Sequence, residues 1–324
     1  MIKTQKVNIE NNDFELPPDP ERVMEGLRDT GYNFNTAIAD IVDNSIAANA
    51  SKIDISVDLN PAGDITVYIA DNGIGMDEEG LQNAMRYGSK QREDPSSLGK
   101  FGLGLKTGST AFCRCLSVVS RGNGDSIVRK VQWDLDYIAK TNAWNLKRPV
   151  PTEDEIEVLD ATAEGGTGTV VIWEKIDRLL KTYKTRSNQK NALNRVIGDL
   201  QFHISMVFQR FLDTKDERER NVKITLNGTP VYAWDPFCLE EKDTEKLADE
   251  FVDVEMPDGK EATFSVRAFM VPRRENFSTS KSRDEAKISN DMQGFYVYRE
   301  NRLIHSGDWL GMFTREPHFS LLRV

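Results

Sequence analysis

The segment AIADIVDNSIAA, residues 37–48, places carboxylate and amide side chains at helical spacing. At about 100° per residue, its apolar side chains fall on one face and Asp40, Asp43 and Asn44 fall on the opposite face. A carboxylate and an amide oxygen separated by four positions suit a hydrated Mg²⁺ and the orientation of a water molecule, and small neighbours such as Ala48 leave room for a ligand. The alternative interpretation is a polar stripe that faces solvent.

The segment DNGIGM, which begins at Asp71, directly follows a predicted strand. Asp71 is in phase with the apolar residues of that strand, so we expect its carboxylate to point inward, where an unpaired charge is costly. A ligand donor such as an exocyclic amine would satisfy it, and Gly73 and Gly75 would let a flat ring approach the backbone beside Met76. The alternative is a tight turn, of which Asp-Asn-Gly is typical.

A glycine-rich segment, GKFGLGLK, begins at Gly99 and leads into a predicted helix. Such loops favour anions, because free backbone N–H groups and the helix dipole both attract negative charge. The segment fits neither of two common phosphate-binding motifs. Its glycine order differs from G-x-G-x-x-G, and Leu105 interrupts the Walker pattern before Lys106.

A fourth segment, GGTGTV from Gly165, opens a predicted strand and by itself is typical of a hairpin entry. Periodicity predicts helices over residues 22–50, 77–86, 102–115 and 192–212. It predicts strands over residues 52–59, 65–70, 116–121, 126–139, 167–176, 222–226, 262–271 and 295–299. Strands that follow one another, with helices grouped near the start and the middle, predict an α+β fold.

Length and local composition predict the domain organisation. A chain of 324 residues is long enough for two domains, and polar and basic residues cluster near residues 184–190. We therefore predict an N-terminal arm over residues 1–20, a first domain over 21–186 and a second domain over 187–324.

Composition excludes several classes of protein. With 42 Lys and Arg against 52 Asp and Glu, the net charge is −10, so nucleic-acid binding would need a local basic patch. Residues 175–195 and 267–287 are the candidate patches, with a solvated face as the alternative for each. Three cysteines, no apolar leader and no run of 18 apolar residues predict a cytoplasmic protein without membrane segments. Cys113 and Cys115 lack companion ligands, so zinc is not expected.

Taken in order, the four segments resemble the GHKL superfamily of gyrase-type topoisomerases, heat-shock-90-type chaperones, sensor histidine kinases and MutL proteins. That family has a Glu/Asn pair on a helix, then D-x-G-x-G, a G-x-x-G-x-G lid and a Thr on a later strand. The phrase GYNFNTAIADIVDNS from Gly31 looks most like MORC-type ATPases and their bacterial relatives. The phrase GFYVYRENRLI from Gly294 is similar to a strand pair of their second domain.

The resemblance implies a Bergerat-type ATP-binding α/β sandwich, with a mixed or antiparallel sheet covered by helices. A smaller transducer-like domain, similar to ribosomal protein S-five, would follow. The resemblance also implies a C-terminal lysine that reaches the γ-phosphate. No residue before Val324 matches this lysine, so we expect the second domain to be incomplete at its C-terminus.

The resemblance also implies site residues. Asn44 matches the Mg²⁺ ligand, Asp71 matches the carboxylate that accepts from the adenine amino group, and Asp40 stands at the general base. The other implied nucleotide contacts are Asp43, Ala48, Gly73, Gly75, Met76 and Thr169. The implied lid comprises Gly99, Lys100, Phe101, Gly102, Leu103 and Gly104, with Lys100 and Lys106 as phosphate partners.

The general base departs from the family pattern, because relatives usually have Glu where this chain has Asp40. The missing methylene sets the carboxylate roughly 1.5 Å further back, and a displacement of ~1 Å can cost on the order of 100-fold in rate. We therefore expect slow hydrolysis, with Asp43 as the second candidate base.

The function implied is an Mg²⁺-dependent ATPase that forms ADP and phosphate and uses ATP to close a homodimeric clamp. DNA is a partner by analogy, in DNA metabolism or in defence against foreign DNA. The alternatives are a nucleotide-binding scaffold without efficient hydrolysis and a heat-shock-90-like chaperone. A histidine kinase would need a phospho-acceptor histidine before the ATP domain, whereas His203, His305 and His318 all follow it.

Overall fold

The computed structural model of the chain describes residues 16, 18–88, 104–124 and 126–324. The helices are α1 (Pro20–Arg28), α2 (Phe34–Ala47), α3 (Glu78–Met85), α4 (Gly104–Thr110), α5 (Leu135–Thr141), α6 (Glu153–Ala163), α7 (Arg186–Val207), α8 (Gln209–Leu212) and α9 (Ser280–Glu285). The strands are β1 (Lys52–Leu59), β2 (Ile65–Asp71), β3 (Cys113–Arg121), β4 (Arg129–Asp134), β5 (Gly168–Ile176), β6 (Lys223–Leu226), β7 (Thr229–Pro230), β8 (Glu245–Glu255), β9 (Glu261–Met270), β10 (Phe295–Arg299), β11 (Arg302–Asp308) and β12 (Leu322–Arg323). These elements confirm the predicted α+β class.

A seven-stranded sheet with the order β4-β3-β5-β2-β1-β6-β7 organises the chain up to Pro230. Its neighbouring strands are antiparallel except for β1 and β6, which run parallel, so the sheet is mixed. β6 and β7 lie beyond the predicted domain boundary yet extend the same sheet. The boundary itself stays a prediction.

Helices cover both faces of this sheet. On one face, Val67 and Ile69 of β2 join a core that includes Ile41 of α2. On the other face, Ala70 of β2 packs in a smaller core with Leu159 of α6. Because successive side chains of a strand point to opposite faces, β2 contributes to both cores. The first face, which α2 covers, is the one that carries the candidate site.

The chain after β7 forms smaller sheets. β8, β9 and β12 make a three-stranded sheet with the order β12-β9-β8, while β10 and β11 form a hairpin. The two residues of the hairpin turn, Glu300 and Asn301, both have positive φ values of 46° and 59°. Such values give the turn a twist that matches the flanking strands. The transducer-like domain stays a prediction.

Two predicted elements are wrong because a residue within each ends one element and starts another. The helix predicted over residues 22–50 is two helices, since Gly31 takes a left-handed φ of 74° and the Asn33 side chain caps α2. The strand predicted over residues 126–139 stops at Asp134, whose side chain accepts from two backbone N–H groups and caps α5. A short side-chain acceptor before a helix is a recognised start signal.

Several boundaries and four whole elements also differ from the prediction. The helix predicted over residues 102–115 ends at Thr110, and the helix predicted over 192–212 begins at Arg186 and divides at Phe208 into α7 and α8. No element is predicted from the sequence at α6, α9, β7 or β8. The start of α6 carries a capping box of Thr152 and Glu155, a signal that the sequence contains.

Replacement of Gly75 by alanine should destabilise the fold far more than the same change at Gly124. Both glycines have left-handed φ values, of 64° and 77° respectively. A Cβ at Gly75 would lie 1.9 Å from the Arg121 carbonyl oxygen, whereas a Cβ at Gly124 would have no neighbour within 4 Å among the described residues. We expect Gly124→Ala to lower the free energy of unfolding by about 1–2 kcal/mol and Gly75→Ala to lower it by more than about 4 kcal/mol. Urea unfolding measures both, and equal losses would contradict the packing argument.

Candidate functional site

Asp40 on α2 lies between contacts from three parts of the chain. The Tyr32 hydroxyl donates to its Oδ2 at 3.3 Å, and Nη2 of Arg302 lies 3.8 Å from its Oδ1. A Cβ at Gly104, the first residue of α4, would lie 3.2 Å from Oδ2. Burial raises the pKa of Asp40 and the Arg302 charge opposes that rise. A carboxylate with a raised pKa is a stronger base at neutral pH.

Asp43, one helical turn further along α2, is already engaged. Nε of Arg302 lies 2.8 Å from its Oδ2 and 3.1 Å from its Oδ1. Burial raises the pKa of Asp43 to about 7, against the lowering effect of Arg302. The Asp43 side chain is 11% exposed and that of Asp40 is 28% exposed. The more exposed Asp40 is therefore better placed to meet a water molecule.

Asp71 ends β2 with its buried carboxylate directed at α2. Ser45 donates its hydroxyl to Oδ2 at 2.7 Å, and the Gly73 N–H donates to Oδ1 at 2.9 Å. Burial raises the pKa of Asp71, and these hydrogen bonds oppose the rise. Each carboxylate oxygen has a second lone pair, so the group can still accept a bond from a ligand. The inward direction agrees with its predicted phase, while the part played by Ser45 was missed.

A hydroxyl pair lies beside Asp71, because Thr169 is its partner in the register of β2 and β5. The Thr169 hydroxyl is 2.9 Å from the hydroxyl of Ser120 on β3. Ser120 also accepts from the Met76 N–H at 2.9 Å and donates to the Gly168 carbonyl at 2.8 Å. The structure thus brings together Asp71, Met76 and Thr169, and it adds Ser120, whose only signal in the sequence is that it is a polar residue within an apolar strand.

The two glycines after Asp71 are needed by the packing of the protein itself. A Cβ at Gly73 would lie 2.7 Å from the Ala48 carbonyl oxygen and 3.0 Å from Asp71 Oδ1. The Cβ position of Gly75 is blocked by backbone. Space for a flat ring, the predicted reason for these glycines, stays a prediction. Ala48 is the C-cap residue of α2, and its carbonyl accepts from the Ile74 N–H at 2.9 Å, which ties the turn to the helix.

Most of the predicted lid, namely Gly99, Lys100, Phe101, Gly102 and Leu103, lies outside the described residues. Lys106 follows on α4 and is only 1% exposed. Its ammonium donates to the Ala84 carbonyl of α3 at 2.9 Å, and burial lowers its pKa to about 8. This arrangement does not support the predicted phosphate contact of Lys106.

Asn44 is half-buried and follows Asp43 on α2. In the part of the chain that the structure describes, no group of three or more His, Cys, Asp or Glu side chains could hold a metal ion. Mg²⁺ prefers oxygen ligands and usually keeps several waters while it binds one or two protein groups and substrate phosphates. The amide oxygen of Asn44 fits that pattern as a single protein ligand.

A groove of about 1100 Å³ lies elsewhere, lined in part by Phe202, Trp234 and Arg218. None of the predicted site residues lines it. The candidate site is therefore assigned by its chemistry and not by the size of a cavity.

Residues 32–169 match the family model described as "Histidine kinase-, DNA gyrase B-, and HSP90-like ATPase". This range contains α2, the Asp71 turn and the Thr169 strand start, three of the four segments on which the resemblance rests. Residues 32–169 are therefore similar to the GHKL family of ATPases.

MORC proteins are also similar to part of this chain. ATPase MORC2B of Mus musculus is 35% identical over 77 residues, and ATPase MORC2 of Homo sapiens is 34% identical over 77 residues. Each match covers 22% of this chain and 8% of the relative, so the chain matches only a small part of the length of these curated relatives. None of the described helices is both long and apolar enough to span a membrane.

Proposed function

We propose that this GHKL domain binds ATP with the adenine amino group at Asp71. The observation that carries the proposal is the buried Asp71 carboxylate, which has protein donors on both oxygens and still has acceptor capacity. An exocyclic amine is the type of donor that such a carboxylate would hold. The neighbouring hydroxyls of Thr169 and Ser120 offer further polar contacts at the same strand ends.

We further propose that the domain hydrolyses ATP, with Asp40 as the general base. Asp40 would accept a proton from the attacking water as its oxygen bonds to the γ-phosphorus and the bond to the β-γ bridging oxygen breaks, which yields ADP and phosphate. When bound at Asn44, Mg²⁺ would neutralise charge on the phosphates. The raised pKa of Asp40 supports this role because it increases proton affinity.

The short distance between α4 and Asp40 suggests how an aspartate could act as the base although its side chain is one methylene shorter than that of glutamate. Gly104 has no side chain at the point where a Cβ would lie 3.2 Å from Asp40 Oδ2, so α4 approaches the carboxylate closely. We propose that this approach partly offsets the missing methylene. Hydrolysis should still be slow, because a carboxylate that is held between its neighbours has little freedom to move toward the attacking water.

Gly104→Ala should therefore lower the hydrolysis rate without lowering stability. The added methyl would displace the Asp40 carboxylate by a few tenths of an ångström, and we expect the rate to fall roughly 3- to 10-fold. Alanine also favours a helix by up to ~1 kcal/mol over glycine. Phosphate release and urea unfolding should thus change in opposite directions. A variant with lower stability and an unchanged rate would contradict this account.

The test of the function measures ATP binding by calorimetry and phosphate release in parallel, with and without Mg²⁺. We expect binding and slow, Mg²⁺-dependent release. Binding without release would favour the second candidate, a nucleotide-binding scaffold, which the short Asp40 side chain also supports. No binding at all would refute the ATP site.

The larger role that we propose is a nucleotide-driven homodimeric clamp with DNA as a partner. The basic stretch over residues 175–195 contributes exposed cations, among them Lys181, Lys184 and Lys190, whereas Lys175 is paired with Asp136. Exposed cations of this kind suit phosphate contacts. Light scattering with a non-hydrolysable ATP analogue tests the dimer, and salt-dependent DNA binding tests the patch. A monomer with every nucleotide would count against the clamp.

A further inference from the structure

Arg302 connects the C-terminal part of the chain to the acidic face of α2. It is the first residue of β11, and 259 positions separate it from Asp43. Its Nε contacts both carboxylate oxygens of Asp43, and its Nη2 lies 3.8 Å from Asp40 Oδ1. The Arg302 side chain is largely buried, so this contact is shielded from solvent more than a surface ion pair.

The hairpin that carries Arg302 is held in place at its turn. Nη1 of Arg210 donates to Asn301 Oδ1 at 2.9 Å, and the Arg210 guanidinium lies 3.7 Å from the centre of the Tyr298 ring. Asn301 is one of the two turn residues with positive φ. Arg302 is therefore presented to α2 from a fixed support on α8 and not from a free loop.

Glu219 and Arg220, which adjoin this turn, connect it to the C-terminal end of α2. Asn301 Nδ2 donates to Glu219 Oε1 at 3.1 Å. The next residue, Arg220, donates to the backbone carbonyls of Ile46 and Ala50, at 2.5 Å each. Carbonyls at a helix C-terminus lack partners within the helix, so a cation there both satisfies and orients the end of the helix. The hairpin and its neighbour thus hold α2 at its acidic face and at its C-terminal end.

We propose that Arg302 is the positioning residue through which the seating of the β10–β11 hairpin sets the place of Asp40. The Asp40 carboxylate is contacted by Tyr32 at one oxygen and by Arg302 at the other, while Asp43 anchors the same guanidinium. A shift of the hairpin would move the guanidinium and with it both carboxylates. The proposal rests on the proposed ATP hydrolysis, and it gives the C-terminal part of the chain control over the rate.

The first experiment compares Arg302→Gln, Arg302→Lys and the control Arg299→Gln. Arg299 is the register partner of Arg302 in the hairpin and is half-buried, with no ion pair among the described residues. For Arg302→Gln we expect kcat to fall on the order of 10- to 100-fold while the Kd for ATP changes less than about 3-fold. Arg302→Lys should recover part of the rate, and Arg299→Gln should retain it.

Four results would contradict the proposal, and the first three concern Arg302→Gln and its control. These are a kcat for Arg302→Gln close to that of the wild type, a loss of ATP affinity as large as the loss of kcat, or an equal loss in Arg299→Gln. A lysine variant as slow as the glutamine variant would also count against it, because it would show that the charge does not act on Asp40.

A second experiment needs no hydrolysis. Urea unfolding of Arg302→Gln, Asp43→Asn and the double variant should give strongly non-additive changes, because either single change leaves a buried group without its partner. Additive changes would overturn the link between the hairpin and α2. If the wild type releases no phosphate, the proposed function fails by that result alone, and this cycle still decides whether Arg302 holds α2.

Discussion

The variant Asp71→Asn should lose ATP binding while it keeps its fold. Asparagine has the same shape, its amide oxygen can still accept one bond, and the Ser45 hydroxyl can rotate to accept from the new NH₂ group. The adenine amino group is itself a donor, and it would face the NH₂ donor of asparagine instead of the charged carboxylate acceptor of Asp71. We expect affinity to fall at least about 100-fold, which corresponds to roughly 3 kcal/mol. Calorimetry with Mg·ATP measures this loss.

The matched control is Asp58→Asn, an exposed aspartate on β1. It changes the net charge by the same amount and should leave ATP affinity unchanged. If Asp71→Asn binds ATP as the wild type does, the adenine amino group is not at Asp71 and the orientation proposed for the nucleotide is wrong. Thermal unfolding of both variants separates a local loss from a loss of the fold.

The second large effect is expected from Asp40→Asn, which should bind ATP and release almost no phosphate. Asparagine can keep the contact with Tyr32 but cannot take a proton from water. We expect kcat to fall about 10²- to 10⁴-fold, with an ATP affinity within about 3-fold of wild type. Asp43→Asn should be less damaging, since Asp43 acts through Arg302 and not on the water.

The pH dependence provides an independent check on the base. Burial raises the pKa of Asp40, and the base works only when it is deprotonated. The rate should therefore fall as the pH decreases, with a midpoint above the usual range of an aspartate. A rate that stays constant down to pH 4 would rule out Asp40, and an unaffected Asp40→Asn variant would do the same.

The sequence was sufficient for the parts of the site that depend on local pattern. The phase of Asp71 on β2 and the helical spacing of Asp40 and Asn44 are properties of a few adjacent residues, and the structure keeps them. Strand alternation likewise predicted β1 with the bounds that the structure has. These signals survive because each element must bury one face.

The contacts that the sequence could not predict are the long-range ones. Nothing near Arg302 indicates that it meets Asp43 across 259 positions, since that contact depends on where the hairpin packs. Ser120 and Thr169 face each other only because β3 pairs with β5. The burial of Lys106 against α3 was also not predictable, because it depends on how the two helices pack, and the sequence alone therefore suggested a phosphate contact. Register and packing, and not local propensity, fix these positions.

The parallel pairing of β1 with β6 also affects how the chain folds during its synthesis. Ile55 is aligned with Leu226, which follows it by 171 positions. At synthesis rates of about 5–20 residues per second, roughly 10 to 30 s pass between the synthesis of β1 and the synthesis of β6, its second neighbour in the sheet. During that interval one edge of β1 is unpaired, and exposed strand edges invite pairing with other chains. The nascent domain is therefore most vulnerable to aggregation after its motifs have been made and before its sheet is complete.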